Sequence, residues 1–159
     1  MTSADEADQK HLRTAIAVSK RAVSNGNHPF GAVLADAGGT VVLEAENTVL
    51  TSGDVTGHAE TNLVRAASGR NPEELRASTL YTSCEPCAMC SGAIYWAGIG
   101  RVVYGLAESE LLAITGAHPG NPTLSLPCRN VFAAGQRSTI VVGPLLAEEA
   151  AEPHRTFWP

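Results

Sequence analysis

His58 and Glu60 stand one residue apart, and Cys87 and Cys90 form a C-x-x-C pair directly after Pro86. Zinc accepts imidazole nitrogen and thiolate sulfur in tetrahedral sites, and a catalytic zinc keeps one position open for water. His58, Cys87 and Cys90 would supply three ligands and leave that fourth position free. Two thiolates balance Zn2+ while the imidazole stays neutral, so a nearby base is needed to finish deprotonating the water. Glu60, two residues from the ligand His58, is the candidate for that base and would pass the proton on to the substrate.

The elements around these residues must aim them at one point. Cys87 and Cys90 share a face if they lie on a helix. Pro86 suits a first helical position, which predicts both sulfurs in the opening turn, where the helix dipole favours thiolate. A closed structural clamp is the alternative, with Cys84 as fourth ligand. Pro86 biases Glu85 towards extended backbone and counts against that clamp.

The chain has 159 residues, 44% hydrophobic and 17% charged, which predicts one globular domain. It has no apolar run of membrane-spanning length and no signal-peptide pattern, and three of the four cysteines cluster near the proposed metal. A cytoplasmic, reducing location is therefore expected. The net charge of −5 and the absence of a basic stripe make nucleic acid an unexpected partner.

Apolar spacing predicts a helix over 6–25, a hairpin over 31–46 and a loop to residue 57. A helix from His58 to Ala67 and a strand over 79–83 follow. A helix over 86–97, apolar nearly all round, should be buried, with Trp96 in the core. A strand at 101–105, a helix at 108–114, a Gly/Pro-rich loop at 116–127, a strand at 139–142 and a helix from Pro144 complete the order. Helices alternating with strands predict an α/β fold, a three-layer α-β-α sandwich around a five-stranded mixed sheet.

With both motifs placed, the chain resembles the cytidine-deaminase-like superfamily of zinc hydrolytic deaminases, whose signature is H-x-E followed by P-C-x-x-C. The stretch Leu80 to Ala97, reading LYTSCEPCAMCSGAIYWA, is most similar to the bacterial guanine deaminase branch. The resemblance implies Zn2+ on His58, Cys87 and Cys90, and Glu60 as proton shuttle. It implies that Asn47 and the Ala59 N–H bind the substrate ring and that Phe30 lines or stacks on it. It also implies that Glu110 reads an exocyclic amine. It further implies a homodimer in which the segment 144–159, with Phe157 and Trp158, swaps between subunits and closes over the site. The expected reaction is deamination of a free base, guanine to xanthine first. Cytosine-like or triazine bases, nucleosides and adenosine in tRNA stand behind it. The stretch Ala117 to Pro122 departs from the guanine deaminase pattern and leaves the heterocycle open.

Overall fold

The computed structural model describes residues 4–158. Its elements run α1 (Ala4–Ser24), β1 (Gly31–Ala35), β2 (Val41–Glu46), α2 (Val49–Ser52), α3 (Ala59–Ala67), α4 (Pro72–Arg76) and β3 (Thr79–Cys84). They continue with α5 (Ala88–Ala97), β4 (Arg101–Leu106), α6 (Glu108–Thr115), α7 (Cys128–Ala133), β5 (Ile140–Val142) and α8 (Ala147–Phe157). The sheet order is β2-β1-β3-β4-β5. β1 pairs antiparallel with β2 and β3, while β3–β4 and β4–β5 are parallel. This is the expected mixed sheet with helices on both faces.

Strand alternation sends side chains to two cores. Val33, Ala35, Tyr81 and Val103 meet Leu12 and Ile16 of α1, Leu111 of α6 and Ala150 of α8 on one face. Ala32, Leu34, Leu80, Val102 and Tyr104 meet Leu63 of α3, Ile94 of α5 and Phe132 of α7 on the other. Gly31 is where α1 comes closest: a Cβ there would lie 2.4 Å from the Ser19 backbone nitrogen. At the end of the sheet where β4 begins, Arg101 grips the buried Asp8 of α1 through both carboxylate oxygens, at 2.7 and 2.6 Å. Tyr81 also donates to Asp8, at 2.9 Å.

Several sequence expectations change: the expected loop before residue 57 holds the short helix α2, and the last helix starts at Ala147 and not at Pro144. The helix expected from Pro86 begins at Ala88, because Cys87 keeps extended backbone as the N-cap. The residues after the Gly/Pro-rich loop hold a further helix, α7, which six residues of mixed character did not announce. Trp96 is 78% exposed and not core; α5 buries Cys90, Ser91 and Ile94 and leaves Met89 and Trp96 outward. Met89 and Trp96 lie two turns apart on one face, so the helix is apolar all round yet covered on one side only within the chain.

Candidate active site

His58 and Cys87 are both N-cap residues, of α3 and α5, with extended backbone at φ −70°, ψ 151° and φ −65°, ψ 173°. A cap side chain ordinarily turns back onto the first amides of its helix. Neither does so here. Both point instead across the gap between two helix starts. His58 Nδ1 lies 3.6 Å from Cys87 Sγ and 3.5 Å from Cys90 Sγ. Zinc–sulfur and zinc–nitrogen bonds in a tetrahedron put such N···S edges at about 3.6 Å. The three ligand atoms lie within 4.8 Å of one another, the one such cluster among the described residues. The donor set therefore fits zinc. Thr61 Oγ1 holds Cys90 Sγ at 3.2 Å and orients it.

The electrostatics agree. Hydrogen bonds from Cys90 and His58 bring the Cys87 thiol down to about 4, so a thiolate stands ready for the metal. The same contact with Cys87 raises the His58 imidazole above its usual value. The contact with Cys87 and its own burial push the Cys90 thiol well above the usual value, so of the two sulfurs Cys87 is the one that carries the charge before a metal binds.

Glu60 lies beside this cluster, on the first turn of α3, and is buried. Burial raises its carboxyl above the usual range, only partly offset by its hydrogen bond with Thr82. The Thr82 hydroxyl contacts both Glu60 Oε1 and, at 2.9 Å, the Cys84 carbonyl. Thr82 donates to Glu60 Oε1, which favours the carboxylate, while burial favours the protonated acid and outweighs that bond, so Glu60 can hold a proton, as a shuttle requires. Thr82 escaped the sequence reading because an inward-facing threonine in a strand looks like any other.

These groups face a cavity of about 500 Å3. Glu60, His58 and Cys87 lie on its inner side, Phe30, Asn47 and His28 on another, and Pro119 to Leu124 form its outer wall. Asn47 is 2% exposed, and its Oδ1 accepts from the Val49 N–H at 3.0 Å. Its Nδ2 is left for the cavity, with no partner among the described residues. Ala59 is the first residue of α3, and its N–H is one of the donors that a helix start leaves unpaired.

Other expected residues fall differently. Glu110 is exposed and does not line the cavity; Glu108, one residue into α6, does. Burial, with the negative charges of Cys87, Glu60 and Glu85, lifts the Glu108 carboxyl to about 8. Phe157 and Trp158 also stay off the lining. Trp158 packs behind it, 5.1 Å from the ring of His28 and 5.1 Å from that of His118. Its indole N–H donates to His154 Nδ1 at 3.1 Å, and His154 packs edge-on to Phe30 at 5.1 Å. In this arrangement α8 packs against α1, α6 and β4 of its own chain.

A three-ligand zinc centre and a buried carboxylate, opening into a pocket on an α-β-α sandwich, define a hydrolase acting on C–N bonds of cyclic amidines. The chain belongs to the family of the cytidine and deoxycytidylate deaminase zinc-binding region, whose model matches residues 5–106. It is 43% identical over 157 residues to a probable cytosine deaminase of Schizosaccharomyces pombe, covering 99% of this chain and 96% of that one. It is 41% identical over 101 residues to the guanine deaminase of Bacillus subtilis, covering 62% and 64%. The structure of a guanine deaminase from Nitrosomonas europaea superposes with a TM-score of 0.74 at 20% identity, covering 98% of this chain and 84% of that one, and shares the fold. No helix among the described residues is long and apolar enough to cross a membrane.

Proposed function

We propose that the chain deaminates free heterocyclic bases that carry an amine-bearing ring carbon, a ring nitrogen and a carbonyl in sequence. The observation that carries this is the set of ligand atoms at tetrahedral spacing, with Glu60 buried beside them on the wall of a closed-in cavity. Zinc on His58, Cys87 and Cys90 supplies the Lewis acid that makes water nucleophilic near neutral pH.

The residues of the chain do the rest. Asn47 Nδ2 and the Ala59 N–H are both donors, so they suit a carbonyl oxygen on the substrate. Glu60 takes one proton of the attacking water and delivers it to the unprotonated ring nitrogen beside the amine-bearing carbon. It then carries the proton of the newly bound hydroxyl to the amino group, which leaves as ammonia while the carbon becomes a carbonyl. Phe30 packs on the ring, and Pro119 to Leu124 exclude bulk water. Cytosine and guanine both have a carbonyl one ring nitrogen away from the amine-bearing carbon, and adenine has no carbonyl. In cytosine that nitrogen is the one protonated; in guanine it already carries hydrogen, and the bare nitrogen on the other side of the amine carbon is protonated. The guanine deaminase-like motif favours guanine to xanthine, whereas the end-to-end similarity to a probable cytosine deaminase puts cytosine to uracil first.

Ammonia release by the zinc-loaded protein across cytosine, guanine, adenine, an aminotriazine, cytidine, guanosine and tRNA tests this reading. Turnover of cytosine or guanine with adenine refused is the expected result. Turnover confined to nucleosides, or inosine formed in tRNA, overturns it.

A further inference from the structure

Glu85 precedes Pro86, stands two residues before the ligand Cys87 and is itself among the residues that line the cavity. It is 8% exposed. One carboxylate oxygen accepts the Glu108 N–H at 3.0 Å, and the other accepts the Cys128 N–H at 2.9 Å. These are the first amides of α6 and α7, the kind of donor that a helix leaves unpaired and that an anion satisfies best.

The placement has a geometric consequence. Residues 108 to 128 run from just after β4 to the start of α7, and the backbone N–H at each end of that excursion bonds to the one carboxylate. Its middle, Pro119 to Leu124, is the outer wall of the cavity, and its first residue, Glu108, also lines it. Among the described residues, the hydrogen bonds of the stretch 117–126 stay within the segment from Thr115 onward. Packing of His118 and Gly120 on Trp158 also ties the wall to the body, and Leu111 and Cys128 bury the two ends of the excursion in the cores. Two further carboxylates line the cavity. Glu60 is occupied by Thr82, and Glu108 has no hydrogen-bond partner for its oxygens among the described residues.

We propose that Glu85 is a positioning residue for the deamination, a two-pronged tie that sets the outer substrate wall at a fixed distance from the metal-binding loop. Its role lies in substrate fit and size selection, and zinc binding does not depend on it. The proposal rests on the reading of the cavity as the site for a free base.

Glu85→Gln tests it directly. The amide keeps one acceptor oxygen and sets an NH2 against the other backbone N–H. Zinc stoichiometry should be unchanged and kcat kept within about threefold, while KM for cytosine or guanine rises about tenfold, the scale of one charged hydrogen bond. The ratio of kcat/KM for base over ribonucleoside should fall, because a displaced wall admits the sugar. Amide exchange should speed up at Glu108, at Cys128 and across 116–127. A cap that only stabilises the fold would lower the melting temperature and leave KM and that ratio alone.

Cys128→Pro guards against a Glu85 variant that fails to fold. Proline is tolerated at a first helical position, and it deletes one of the two amides without touching the metal loop, while Cys128→Ala, which changes the same buried side chain and keeps the amide, reads the packing loss alone. The proline variant should raise KM in the same direction by a smaller factor, and the double variant should be no worse than Glu85→Gln. Unchanged KM and selectivity in Glu85→Gln and Cys128→Pro, or a KM change matched by zinc loss, overturns the proposal. A wild-type protein that turns over no free base defeats the cavity reading alone. In that case the exchange rates at 108, 128 and 116–127 still decide whether Glu85 ties the wall.

Discussion

The inner and outer walls of the cavity are built on opposite plans. On the inner wall, His58, Glu60 and Cys87, with Cys90 buried behind them, come from two short stretches, each at the start of a helix that packs on the same sheet face. Local spacing sets their mutual geometry, and packing of α3 on α5 fixes it. On the outer wall, Glu108, the stretch Pro119 to Leu124 and the Trp158 behind it come from places far apart in the chain. Apart from Glu108 at the start of α6, that wall is loop, held by the Glu85 carboxylate at its ends and by packing of His118 on Trp158, whose indole His154 holds. Chemistry that must not drift sits on regular elements, and selection among substrates sits on the part that can vary without disturbing the metal.

The sharpest break in this comparison comes from the inner wall. Glu60→Gln keeps the size and the contact with Thr82 but removes the shuttle. Turnover should fall by about 10²–10⁴, the usual contribution of a positioned acid–base group, while bound zinc measured by metal analysis stays at the wild-type level. Turnover within a few fold of wild type would place proton transfer elsewhere and end the assignment of chemistry to this wall.

An intermediate effect is expected from the outer wall. Burial holds the His154 imidazole down at about 4, so it is neutral at physiological pH. Its Nδ1 accepts from Trp158, which leaves the proton on Nε2, 3.3 Å from Cys84 Sγ. Trp158→Ala removes the packing on His28 and His118 together and strands His154 Nδ1. KM should rise about tenfold with kcat nearly kept and zinc unchanged, as for lost binding that ground and transition states share. A loss in kcat with KM unchanged would mean that Trp158 acts on the inner wall through His154 and Phe30, and the separation of the two walls would fail.

The same division explains what could be read from the chain before its structure. The layered fold followed from apolar periodicity, because each strand alternates faces and each helix buries a stripe. The metal ligands and Glu60 followed from spacing, because helix starts translate sequence distance into spatial distance with little freedom. Asn47 and Phe30 entered through resemblance, and the cavity contains both. Glu85 lay inside the most distinctive motif, yet its partners at 108 and 128 are tertiary, and nothing local marks a carboxylate that reaches two remote amides. Trp96 was misplaced for a related reason: an apolar helix reads as buried whether its cover comes from its own chain or is absent from it.

The smallest effect concerns two glutamates two residues apart, on opposite sides of α6, and it discriminates between them. Resemblance assigned substrate recognition to Glu110, whereas the fold turns Glu110 to solvent and Glu108 to the cavity. The root of Glu108 is pinned by the bond from its own N–H to Glu85. Burial next to Cys87, Glu60 and Glu85 gives its carboxyl a proton affinity far from that of a surface group, a mark of groups placed for function. Glu110→Gln should leave kcat/KM within about twofold, as expected for a surface substitution away from the site. Glu108→Gln should lower kcat/KM several-fold and change the ranking of cytosine against guanine, because it alters a polar group that the bound ring meets. If the ranking moved with Glu110 and stayed fixed with Glu108, the outer wall would have to be redrawn with α6 turned by a third of a helical revolution or more.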